Sequence, residues 1–484
     1  MARHARIGEK VLQNSIFLMG TAGLTALLGF AFWTLVARLF SPARVGLATS
    51  LISAISLISY MSQCGMNSTL IRFPAPQRAR NSQITLACTV VGAAAFLIAS
   101  GYLLGLPWYG QKLLFVRDDP WLGALFVGIC VCATLNLVTD TVFISARIPQ
   151  YNLLADGVIQ GVAKLLLPLG LVGFGAVGIV GAIGGGYLVA VLASLALMYW
   201  RLGFRPDYRT RGTGLHAYAK FSAASYLSSL LNLLPTLALP MIVLQRLGPD
   251  QAGYFYIAFQ IAGLLTAVCS AVGEAMFSEA SHDLARAREV LARSAKLMAL
   301  AALPAAGVVA AGSGLMLSLF GAQYAGNGHA LLLVLALGTL GVGLNAWASN
   351  ALRIHRKLRA MVVSNLVFVL VTVPAALLLA DRGLVWLGWA WDAGNLASGL
   401  AAAVCIPWRA PVPAPTPASA AAEPGEEGEA AREPETAAIY DDTGTIPMVF
   451  PWNRPEWAVT AMRLRPPVEP PKPPESGGQD DHQW

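Results

Sequence analysis

Charge is what this chain most lacks. Asp, Glu, Lys and Arg make up only 12% of its 484 residues, about half the share usual in a soluble domain, and 56% are hydrophobic. Such a composition cannot coat a water-soluble surface of this size. Cysteine is also scarce. Cys64, Cys88, Cys130, Cys132, Cys269 and Cys405 all lie in or beside apolar runs, and Cys130 and Cys132 face different directions on a helix, so neither a disulfide framework nor a zinc site follows. The six histidines have no metal-ligand spacing. No nucleophile constellation appears in the loops, and none of the 47 glycines opens a helix after a soluble strand. These absences argue against an enzyme, a nucleotide-fuelled machine and a bound metal or cofactor.

What is present is a succession of long apolar runs, each able to cross about 30 Å of hydrocarbon as a helix. They occupy 13–37, 46–71, 82–106, 121–145, 152–174, 177–200, 219–244, 252–276, 297–320, 329–351, 360–380 and 384–407. The joint between the fifth and sixth is blurred by glycines, with Gly173 to Gly178 the preferred turn. The first run lacks a small-residue cleavage site and is expected to stay as a span. The chain therefore reads as an all-α polytopic membrane protein of about twelve transmembrane helices.

Basic residues sort with that list. Alternate loops, beginning with the N-terminus, hold 20 Lys and Arg against 6 in the others. Cytoplasmic loops are the Lys/Arg-rich ones, so both termini are expected in the cytoplasm of an inner or plasma membrane. The net charge of +7 then reports topology, and no nucleic-acid partner is implied. From Arg409 onward the material changes to a Pro-rich segment with 13 acidic and 6 basic residues. Such a tail, 409–484, is expected to be disordered and cytoplasmic. Its aromatics Phe450, Trp452 and Trp457 are either a docking motif for a cytoplasmic partner or sticky residues in a linker.

Two internal echoes organise the apolar part. Arg38-Leu39, Pro42 and Gly46 align with Arg246-Leu247, Pro249 and Gly253 once one residue is deleted. Asn136, Asp140 and Arg147 before the fifth run are matched by Asn345, Asn350 and Arg353 before the eleventh. Six runs separate the partners, so the halves share orientation about an axis along the membrane normal. Two six-helix lobes, 1–205 and 206–408, are expected to face each other across a cavity.

The opening half carries a more specific pattern: Asn14-Ser15, Gly20, Gly23, Phe32-Trp33, Ala37-Arg38-Leu39, Ser41-Pro42, Val45-Gly46, Gly65 and Leu70-Ile71-Arg72-Phe73. It resembles the polysaccharide biosynthesis and oligosaccharide flippase family, the Wzx-like branch of the multidrug/oligosaccharidyl-lipid/polysaccharide exporter superfamily. The likeness spans roughly 10–407, is strongest in the first hairpin and is looser in the second half. It implies two rocking lobes that move an undecaprenyl-diphosphate-linked glycan across the cytoplasmic membrane, for polysaccharide or lipopolysaccharide biosynthesis. The rival readings are an ion-coupled multidrug antiporter built on the same lobes, a membrane glycosyltransferase or polymerase, and a membrane scaffold of a glycan-assembly complex.

Charges in hydrocarbon face protein or an aqueous cavity and mark function or packing. Lys164 is mid-span and either meets a diphosphate headgroup or pairs internally, with Asp140 a better partner than Asp156. Arg147 and Arg353 lie at equivalent cytoplasmic ends, and Arg72 closes the second run; each is a phosphate contact or a topological anchor. Arg38 and Arg246 begin the outer hairpins, to release diphosphate or to pin helix ends. Asn67, Asn136, Asn232, Asn345, Asn350 and Asn365 can bind sugar hydroxyls or hold helices together. Glu274 and Asp392 are candidates for coupling to H⁺ or Na⁺, or for buried pairing with an Arg. Pro235 and Pro240 can kink the seventh run as a hinge, with a fixed kink as the plainer alternative.

Overall fold

A computed structural model describes residues 24–406 apart from 25, 73, 76–78, 147, 149, 209–214, 283–286 and 356. The expected tail 409–484 and Arg147 lie outside the described residues. Every regular element among those described is helical. The main ones in the first half are α1 (Ala26–Leu39), α2 (Pro42–Ser62), the short α3 (Met66–Arg72), α4 (Arg80–Tyr109) and α5 (Pro120–Ser145). A π-wound stretch, Leu153–Gln160, leads into α6 (Gly161–Leu171), and α7 (Gly175–Leu202) follows. The second half comprises α8 (Leu215–Leu247), α9 (Pro249–His282), α10 (Ala287–Ser318), α11 (Ala322–Leu337), α12 (Thr339–Ile354), α13 (Leu358–Leu379) and α14 (Leu384–Val404).

Local chemistry sets several of these boundaries. Proline stands at the start of α2, α5 and α9, where its fixed φ suits the first turn and its missing N–H costs nothing. Asp119 caps α5 by accepting from the Trp121 amide at 2.9 Å, which satisfies one of the orphan donors of that end. Most of the long helices show little amphipathic bias, because lipid and the neighbouring helices are both apolar. Exposed Leu, Val, Phe and Trp side chains accordingly cover the outside of α4, α7, α10 and α13.

Eight helices are long and apolar enough to cross a membrane among the described residues, or nine when the pair α11–α12, bent by 42°, is taken as one broken span. One of the eight is the 53-residue run Gln150–Leu202, about 80 Å if straight. It does not run straight. A 3₁₀ turn, Val172–Phe174, and Gly175 at φ +60° reverse it, so that α6 and α7 pack against each other. A Cβ on Gly178 would lie 2.1 Å from the Leu171 carbonyl oxygen, and this is why the hairpin can close so tightly. The turn lies in the Gly173 to Gly178 region expected from sequence.

The two halves of the chain meet along α2. It packs against both α8 and α9, with the Ser50 hydroxyl donating to the Pro240 carbonyl at 3.1 Å. At the start of α2 the approach is backbone to backbone: a Cβ on Gly46 would sit 1.9 Å from the Pro249 oxygen, and one on Gly253 would sit 2.3 Å from the Pro42 oxygen. The contact is reciprocal. Trp33 and Tyr256 add an aromatic contact at 4.6 Å between centroids, and Arg38 Nε donates to the Leu319 carbonyl at 2.9 Å. Glycine at these crossings lets van der Waals contact replace the hydrophobic drive that lipid does not supply.

Candidate functional site

In the first half, polar side chains form a continuous chain between α5 and the helix that follows it. Lys164 Nζ donates to Gln160 Oε1 at 2.8 Å, Gln160 Nε2 donates to Asn136 Oδ1 at 3.0 Å, and Asn136 Nδ2 donates to Asp156 Oδ1 at 2.8 Å. Lys164 also lies 4.5 Å from the centre of the Tyr187 ring on α7, a cation–π distance. Lys164 and Asp156 are thus joined through two amides. Asp140 is buried close by, its backbone carbonyl accepting from Asn152 Nδ2 at 3.2 Å. Four residues between Asn136 and Lys164 therefore form one hydrogen-bonded assembly, and the π-wound stretch supplies Asp156 and Gln160. Such winding often accompanies functional sites.

The second half concentrates its charge elsewhere. Arg353 Nη1 donates to Glu274 Oε1 and to Asn350 Oδ1, both at 2.9 Å, and its guanidinium stands 4.4 Å from the centre of the Phe277 ring. Both partners are well buried, so the pair is held by geometry and costly to break from one side. Gly273 makes room for it, since a Cβ there would lie 2.5 Å from Asn350 Nδ2. A second network links Asn345 to Asn395 at 3.2 Å and Ser398 to Asn345 at 3.1 Å. Asn232 donates to Asn365 at 3.1 Å, and Asn365 donates to the Ser228 hydroxyl and carbonyl at 3.0 Å. These amides tie α8 to α13 and α12 to α14.

The two acidic candidates differ sharply. Glu274 has its arginine, whereas neither carboxylate oxygen of the buried Asp392 has a hydrogen-bond partner among the described residues. Asp392 on α14 packs against Gly338, at the break between α11 and α12; a Cβ on Gly338 would lie 1.8 Å from Asp392 Oδ1.

The remaining expected residues are dispersed. Asn67 is half-buried on α3, with its Oδ1 sequestered and unpartnered; Arg72 ends the same helix. Arg38 is exposed and pins the end of α10 through Leu319, and Arg246 lies 3.9 Å from Asp381 on the exposed start of the last hairpin. Pro235 and Pro240 lie inside α8, which continues through both. No group of three or more His, Cys, Asp or Glu side chains is placed to hold a metal among the described residues. Gln160 and Tyr187, which complete the surroundings of Lys164, were not singled out from sequence. A neutral Gln and a Tyr in apolar runs carry no distinguishing signal, although Gln160 stands one helical turn from Lys164.

The family described as Polysaccharide biosynthesis protein matches residues 35–329. No curated protein matches the chain. Among solved structures, an inward-facing multidrug resistance MATE family transporter of the MOP superfamily is similar with a TM-score of 0.61 and 15% identity, covering 81% of this chain and 96% of that one. The lipid II flippase MurJ, in an inward closed conformation, gives a TM-score of 0.64 and 11% identity over 80% of this chain and 87% of MurJ. A MOP superfamily transporter from Pyrococcus furiosus gives 0.50 and 14%, over 81% and 94%. At these identities the likeness is one of fold. Matched over more than half its length, this chain belongs to the polysaccharide biosynthesis protein family.

Proposed function

We propose that this protein flips an undecaprenyl-diphosphate-linked oligosaccharide across the inner membrane, with twelve spans in two lobes, 1–205 and 206–408, and both termini cytoplasmic. The observation that carries this reading is the family match together with an ammonium group set mid-span against a polar chain, where lipid alone would reject it. A diphosphate supplies the counter-charge that Lys164 can receive, and the linked amides of Gln160 and Asn136 present donors and acceptors of the kind sugar hydroxyls use. Arg147 and Arg72 are the proposed cytoplasmic capture residues. Arg353 contributes to capture only when its bond to Glu274 opens, and Arg38 acts on the far side as a pin between helix ends. The polyprenyl tail stays in lipid while the headgroup passes between the lobes. An ion gradient, or consumption of the glycan outside, drives the cycle.

A second reading has its own support. Several MATE transporters share this fold, and an ion-coupled multidrug antiporter would use the same lobes. The sidedness of lipid-linked oligosaccharide in cells lacking the protein separates the two. Cytoplasmic accumulation relieved by the wild type, but not by Lys164→Ala at equal protein level, is the expected result. Unchanged sidedness combined with altered drug tolerance would replace the flippase reading with the antiporter.

A further inference from the structure

A buried carboxyl group with no donor beside it must either carry a proton or hold a cation. Asp392 is such a group. It is 7% exposed, and both its oxygens are sealed from solvent without a hydrogen-bond partner among the described residues. Among the described residues its surroundings offer no compensating charge. α14 packs against α8, α11, α12, α13 and the turn Ala380–Arg382. The charged side chains described on these elements lie far along their helices or are already engaged. Arg353 of α12 is fifteen residues beyond Gly338, about 22 Å along the helix, and holds Glu274. His329 of α11 is nine residues before Gly338, about 13 Å away on the same basis. Arg359 of α13 is thirteen residues before Thr372, about 20 Å, and Thr372 is the α13 side chain that meets α14 at Gly394. Arg246 of α8 faces Asp381 of the turn. Arg382 is ten residues before Asp392 and lies against Trp386.

The position of Asp392 gives its protonation a mechanical meaning. Its carboxyl group rests on Gly338, the residue at which the span α11–α12 breaks by 42°. No side chain other than hydrogen fits there, because the carboxyl group fills the space that a Cβ would take. Thr339 and Trp391, the sequence neighbours of Gly338 and Asp392, line a small cavity together with Thr266 and Phe259, with room for about one water molecule. Its two threonines offer hydroxyls to an entering water.

We propose that Asp392 is a proton-binding site seated in the α11–α12 bend: the neutral acid packs on Gly338 and holds the present conformation, and loss of the proton draws water from the adjoining cavity and unseats the bend. The proton leaves as hydronium to that water, and no other reactant is needed. This rests on the transporter reading for its physiological use only, since the proton can be detected without any substrate.

The test uses purified full-length protein in nanodiscs. The infrared difference spectrum between wild type and Asp392→Asn at neutral pH should contain a protonated-carboxyl stretching band assignable to the lost acid. A difference containing only carboxylate bands overturns the proposal. Hydrogen–deuterium exchange of the wild type requires no variant. Corrected for intrinsic rates, amides of the 334–345 segment should open more readily at about pH 9 than at about pH 6, by up to tenfold per pH unit once the acid ionises. Asp392→Asn should abolish that dependence and stay at the low-pH level. The same dependence in Asp392→Asn, or none in the wild type, overturns the link to the bend. A flippase assay that fails while these spectra behave as expected removes the glycan reading and leaves the proton site standing.

Discussion

Replacing Gly46 with alanine should push the two halves of the chain apart at the start of α2. The added Cβ would sit 1.9 Å from the Pro249 carbonyl oxygen and 2.7 Å from the Gly253 nitrogen, both main-chain atoms of a neighbouring helix. An ordinary contact needs about 3.5 Å, so α2 and α9 must separate by well over an ångström, and no flexible side chain is there to yield. Overpacking of this kind costs about 1–3 kcal/mol. Charged wholly to the closed crossing, about 2 kcal/mol shifts a two-state balance roughly thirtyfold towards separation. The reporter is Ala252→Cys in a chain whose six native cysteines have been replaced. Ala252 is buried at this crossing, and its Cβ would lie 3.0 Å from the new methyl of Gly46→Ala. Maleimide labelling in nanodiscs should accelerate by about ten- to thirtyfold with Gly46→Ala. Gly253→Ala should act likewise through Pro42, and the double variant should add less than the sum because one contact is being broken twice. Unchanged labelling at unchanged thermal stability would refute the reasoning, as would full additivity.

Three further outcomes follow from the sites. Glu274→Ala should destabilise the fold by about 3–5 kcal/mol, because Arg353 is left buried without its carboxylate, whereas Glu274→Ala with Arg353→Met should recover much of that loss; denaturation midpoints of the two variants check this. Gln160→Leu should reduce glycan flipping at least tenfold with protein level intact, since the link between Lys164 and Asn136 is cut; retention of full flipping would remove the polar chain from the mechanism. Pro235→Ala should slow transport if α8 flexes there, and full transport in that variant would leave the proline as a fixed structural feature.

The membrane class and the all-helical build were legible because each span must satisfy its backbone internally and exclude charge, and both demands act on composition over some twenty residues. The echo of Pro42 and Gly46 in Pro249 and Gly253 was also plain in the sequence. Its meaning was not, because that the two copies press on each other is a fact of tertiary packing. The tenth span read as a single helix over 329–351, whereas α11 begins at Ala322 and the span breaks at Gly338; one glycine among many in apolar runs announces nothing. Asp392, weighed for pairing with an arginine, meets none among the described residues and packs instead on Gly338. For Glu274 the pairing was readable in kind, and the structure supplies Arg353. Gln160 was passed over because a neutral amide costs little enough in a span to leave no compositional mark.

The winding of Leu153–Gln160 has a consequence for how residues are spaced. Along an α-helix, positions four apart creep around the axis, so that Asn152 and Lys164 would end roughly a third of a turn apart. The wider π turns rotate the chain less per residue, so over Leu153–Gln160 the creep reverses and largely cancels that of the α-helical turns. Asn152, Asp156, Gln160 and Lys164 form a polar track, and the exposed Leu154, Val158, Val162 and Leu166 form an apolar one at the same interval. This segment therefore runs on a period of four, and deleting a single residue from it would shear the polar track away from α5 and turn part of it toward lipid.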